Sequence, residues 1–214
     1  MPNQNGSVYG LTILSPIIDD EKATPSHDLQ IRSYLAKLST REDSPFAKAP
    51  GTHLARLVVM DDVIYVGAPA HEEHLKSKYL IFESNLDCGP DGDLDGYLNG
   101  LAAAIPEHLD AIWQHCVGYP GAANRQAFIR YMKACQLDTT FFFAAVNDKT
   151  VPETLRALQT QSAVAEFIAT HQGTDPAQLQ RDFVQFAARL RSQPPPRPGS
   201  IGPSRDIKTG GRNE

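Results

Sequence analysis

The sequence is poor in cysteine and has no cysteine pattern. Cys88, Cys116 and Cys135 are three in number, so they cannot all pair within one chain, and none lies in a CxxC. A disulfide framework is therefore excluded as the organising device, and free thiols in a reducing, cytoplasmic setting are expected. Long apolar runs are lacking too, since none approaches the roughly 18 residues that span a bilayer. Met1 to Ser7 carries neither the basic start nor the apolar stretch of a signal peptide. No membrane partner is expected. Nor do basic and aromatic residues interleave. The net charge is −5, and Arg197, Arg205, Lys208 and Arg212 are gathered in the last segment, so the part before it is more acidic still. Nucleic acid is thus an unfavoured partner. The sequence also has no G-x-G-x-x-G, Walker loop or nucleophile elbow.

What is present has globular proportions. With 214 residues, 41% hydrophobic and 21% charged, the chain suits one domain with a sizeable core. Val8–Leu14 reads as a strand ended by Ser15-Pro16. Ser26 stands where a helix N-cap would, before Ile31, Tyr34, Leu35 and Leu38 at helical spacing. His53–Met60 and Tyr79–Glu83 read as strands, with Val63–Val66 as an extension or pairing partner of the first. An apolar stripe then runs from Leu94 through Ile105 to Cys116, and Pro106 should kink or split it. A helix over Arg125–Cys135 and a buried strand over Thr140–Val146 follow. Thr150-Val-Pro-Glu153 reads as a capping box opening a helix to about His171, and Asp175-Pro176 opens the last helix. Residues 1–191 form the expected domain; residues 192–214, rich in Pro and Gly, read as a disordered tail.

Without the additional helices the order is β-α-β-β-α-β, an α+β fold of ferredoxin-like topology with C-terminal helices added. One sheet face is left uncovered in such a fold. The chain's own helices, a ligand or a second protomer must bury it, and two protomers stacked sheet to sheet would form a dimeric α+β barrel.

The stretches Leu11–Ile17, Gly51–Val59, Tyr79–Asp87 and Leu94–Gly121, together about half of the chain, resemble the dimeric α+β-barrel superfamily. That resemblance implies a homodimer and an oxidoreductase acting on a small hydrophobic substrate or peroxide. Gly92-Asp93-Leu94-Asp95-Gly96 is similar to the G-x-x-D-G signature of dye-decolourising haem peroxidases. Under that likeness Asp95 would be catalytic, His171 would ligate haem, and Arg189 would follow as the distal arginine.

Other groups carry chemistry of their own. Asp91 to Gly96 has the alternating carboxylates of half a Ca²⁺ loop, but Ala102 stands where the bidentate glutamate belongs, so helix capping is the simpler reading. His71-Glu-Glu-His74 could hold a metal if helical, although it falls in a polar connection. His53, Arg56 and His115 form the preferred catalytic set, with His115 also a candidate haem ligand beside a purely structural role at a helix end. The alternative to an enzyme is a non-catalytic ligand-binding or protein-interaction module, for which Pro194–Pro198 offers a polyproline II segment.

Overall fold

A computed structural model describes residues 3–88 and 93–200. Four strands form one antiparallel sheet: β1 (Gln4–Asn5), β2 (Val8–Pro16), β3 (Thr52–Met60) and β4 (Tyr79–Asp87), in the order β1-β2-β4-β3. Among the described residues six α-helices and a short 3-10 helix (Pro45–Lys48) accompany it: α1 (His27–Leu35), α2 (Leu94–Ala104), α3 (Pro106–Trp113), α4 (Arg125–Ala134), α5 (Val151–Thr170) and α6 (Pro176–Ser192). The α+β class is as expected.

The sheet's period-two pattern decides which face the helices cover. Leu11, Ile13 and Ser15 of β2 lie opposite Ser84, Phe82 and Leu80 of β4, and all six are buried. α2, α3 and α4 complete this core with Leu98, Leu101, Leu109, Trp113, Phe128 and Met132. Each such side chain contributes about 1.5–3 kcal/mol when fully buried. Trp113 sets its ring edge-on to Phe82 at 5.5 Å and donates its indole N–H to Ser15 Oγ at 3.3 Å, so the one polar side chain of this β2 row is satisfied.

Local signals act as the sequence suggests. Pro106 splits the stripe: α2 ends at Ala104, Ile105 takes a non-helical φ of −137°, and Pro106 opens α3. Thr150 and Glu153 form the reciprocal capping box of α5, and Asp175 caps α6 through Ala177 N and Gln178 N.

The expected strand over Thr140–Val146 does not form. The segment's backbone pairs with β2 around the isolated Ile13–Gln136 bridge, and the chain returns at Asn147, whose carbonyl accepts from Ser7 N. Between these points β1 holds the edge of β2, through Gln4–Tyr9 and Asn5–Val8 pairing and a bond from Gly10 N to Asn3 O. The start of the β2 edge, which a strand over Thr140–Val146 would need, is thus taken by β1. Phe142 instead lies over Gly10, where a Cβ would sit 2.8 Å from its ring, while Phe141 and Phe143 are 82% and 69% exposed. Val63–Val66 forms no strand either; it belongs to an exposed connection between β3 and β4.

The tail is partly organised. Pro194 O accepts from Gln159, and Gly199 packs against the backbone of Arg41 and Glu42. Residues 201–214, the remainder of the expected disordered segment, lie outside the described residues.

Candidate functional site

The site is built from the start of β3. Gly51, at φ +73°, turns the chain into the strand, and a Cβ there would stand 3.1 Å from Asp87 Cβ. Both the left-handed backbone and the close approach favour glycine. The β3–β4 register then shifts between Thr52 and Leu54, which leaves His53 outside the regular ladder. Such an irregularity re-aims a side chain. His53 Nε2 thereby reaches Asp87 Oδ1 at 2.6 Å, at the end of β4. Asp87 Oδ2 accepts the backbone N–H of Val151 at 3.0 Å, the first residue of α5, so the positive helix end also holds the carboxylate.

This geometry fixes the tautomer. A carboxylate only accepts, so Nε2–H donates, and in the neutral ring Nδ1 is left as the basic nitrogen. The His53 and Asp87 side chains are 21% and 17% exposed, so both are sheltered yet reachable. On the other side of the turn, Thr52 Oγ1 and Ser84 Oγ lie 3.1 and 3.0 Å from the Tyr97 hydroxyl. Burial pushes the Tyr97 phenol up, with its bonds to Ser84 and Thr52 partly offsetting this, so it stays protonated as a structural clamp.

His53 lines a cavity of about 370 Å³ along the outer edge of β3. Leu35, Leu38, Phe46 and Leu57 give it apolar walls, Ser39, Arg41 and Ser44 add polar groups, and Pro198-Gly199 completes the lining. Apolar walls with a few polar groups are the usual composition of a small-molecule site.

The other expected site residues are dispersed. Arg56 pairs with Glu83 at 2.6 Å on the uncovered sheet face. His115 lies at the opposite end of the sheet: its carbonyl accepts from Ile18 N, beyond the Pro16–Tyr79 pair. About eight residues of strand, some 25 Å, separate it from His53. His53, Arg56 and His115 therefore do not form one centre. His115 is 8% exposed and meets His27, Nδ1 to Nδ1, at 2.9 Å. Burial, reinforced by nearby His27, holds it below the usual histidine range.

Asp95 is engaged by Lys133 at 2.8 Å on the α2–α4 side. Asp93 accepts Gly96 N as the N-cap of α2, the capping role weighed for that loop, while Asp91 and Gly92 lie outside the described residues. His171 ends α5, stacked on Phe167 at 4.0 Å, with Nδ1 2.8 Å from Phe167 O and Nε2 3.8 Å from Asp182. It shares a concavity of about 450 Å³ with Arg189, but Asp95 is not part of it. His74 hydrogen-bonds Asp62 at 2.6 Å in an exposed non-helical loop. Among the described residues, no group of three or more His, Cys, Asp or Glu is placed to hold a metal. Burial and nearby Cys135 push the Cys116 thiol up to about 12, so it is packed rather than reactive.

Sequence reasoning found His53 but not Asp87. Pairing the ends of the two strands would have suggested it, but an irregularity in register cannot be read from composition. The sequence carries no signal for Phe46 or Arg41, and Pro198-Gly199 falls in the expected tail. Among the described residues, no helix is long and apolar enough to cross a membrane. Comparison with known proteins finds no matching family model, no matching curated protein and no matching solved structure, so the site rests on its own geometry.

Proposed function

We propose that the chain binds a small, mainly apolar molecule at the edge of β3 and that His53, held by Asp87, exchanges a proton with it. The observation that carries this reading is the 2.6 Å His53–Asp87 bond at the rim of a cavity walled by Leu38, Phe46 and Leu57. Asp87 stabilises the imidazolium when His53 takes a proton, and the helix end behind Asp87 keeps the carboxylate in place. A suitable substrate has an apolar ring and one acidic proton, as in a phenol or a carbon acid. Deprotonation makes such a molecule a better electron donor; in an oxidoreductase reaction dioxygen would be the electron acceptor, and the part that His53 carries is the proton transfer.

Haem is not the group these residues favour. His115 is packed against His27, and one face of the His171 ring is covered by Phe167. The acid/base role stands without it.

In fold terms, we read β2, α1, β3, β4 and α2–α3 as the first five elements of a ferredoxin-like unit, with the segment 135–147 beside β2 in place of the last strand. A barrel dimer of such units would stack the open sheet faces around Leu54 and Val58, both exposed.

The test is a titration with monocyclic phenols followed by protein NMR. Saturable shifts should cluster at His53, Leu38, Phe46 and Leu57, and His53→Ala should weaken binding of the phenols more than binding of the matching toluenes. Shifts elsewhere, or equal losses for both series, would refute the reading.

A further inference from the structure

The two C-terminal helices bury little of their own surface. No residue of the twenty in α5 is buried, and in α6 only Phe186 is. Phe167 stacks on Phe186 at 4.7 Å and so ties the pair together. The outer side of the hairpin remains apolar. Two concavities, of about 420 and 460 Å³, meet there at Phe183. Val164 and Ile168 of α5 line this groove one turn apart, while Phe183 and Ala187 line it from α6. Phe183 is 52% exposed and Ile168 55%. Two helices alone bury too little to stand as a stable unit, and a 20-residue helix without tertiary burial is marginal in water.

We propose that this groove is a dimer interface, occupied by the same hairpin of a second copy in an antiparallel four-helix bundle. The groove is apolar about its Phe183 centre, so a two-fold axis at that level makes it self-complementary. The area favours that occupant as well. A face about 30 Å long and two helices wide gives roughly 600 Å² per copy, near the ~800 Å² per partner of a standard interface. The fourteen residues after Ser200 are a poor rival, with Ile201 and Ile207 their only large apolar side chains. Helix pairing of this kind needs no contact with the His53 cavity, and it stands whether or not that site binds a phenol.

Sedimentation velocity over a wide dilution series tests the proposal on the full chain. The wild type should be a dimer, Phe183→Glu should weaken self-association at least about tenfold, and removal of residues 201–214 should leave the dimer intact. Ala187→Glu, on the α6 wall of the groove, should also weaken it, while Arg189→Glu, on the other side of the hairpin, should not, a contrast that loss of folding cannot mimic. A wild-type monomer throughout would overturn the proposal. So would a dimer unaffected by Phe183→Glu but lost in Val58→Glu, on the open sheet face, or a monomer that dimerises only after residues 201–214 are removed.

Discussion

Replacing Asp87 by Ala removes one carboxylate that accepts two hydrogen bonds, from His53 Nε2–H and from the Val151 N–H. A hydrogen bond to a charged group contributes about 1.5–3 kcal/mol when sheltered. The two side chains are 21% and 17% exposed, so water replaces part of each lost bond. The expected cost is about 1–2 kcal/mol in all, or a fall in Tm of a few degrees for a chain of this size. The sharper quantity is the coupling. Urea unfolding of the wild type, Asp87→Ala, His53→Ala and the double variant should give an interaction term of about 0.5–1.5 kcal/mol. Additivity within about 0.3 kcal/mol would refute the claim that the two residues act as a unit.

Tyr97→Phe should cost about 1–2 kcal/mol in thermal unfolding, because it leaves the Thr52 and Ser84 hydroxyls without their shared partner. It should also loosen the turn that carries His53, seen as faster amide exchange at residues 51–53. Gly10→Ala should displace Phe142 and cost about 1 kcal/mol, an effect that should vanish when Phe142 is already Ala. The pH dependence follows from His115, whose pKa in the fold lies below the usual histidine value because of burial and His27. Below the unfolded pKa of about 6.5 the unfolded chain binds the extra proton more readily, so stability falls as pH drops through that value and is fully present above it. Urea midpoints between pH 8 and 5 should show this fall, and His115→Gln should flatten it.

Much of the fold was legible because its signals are local. Pro106 cannot continue a helix, Thr150 and Glu153 satisfy each other's backbone, and the alternation in β4 selects a core face. The segment Thr140–Val146 was misread because its β-forming residues say nothing of a free edge, and residues 3–5 occupy the edge it needed. His53 was visible as a polar residue at a strand start. Its partner was hidden because Asp87 lies 34 positions away and meets it only through Gly51 and the shifted register. His115 and Arg56 shared attractive sequence surroundings with His53, yet strand length carries the first to the far end of the sheet and pleat parity directs the second to Glu83.

The most direct test of the central claim is long-range ¹H–¹⁵N NMR of the imidazole rings at a pH where His53 is neutral. The account predicts a His53 ring protonated at Nε2, an Nδ1 resonance that shifts on phenol addition, and loss of the fixed tautomer in Asp87→Asn. A ring protonated at Nδ1, or a tautomer indifferent to Asp87→Asn, would contradict it.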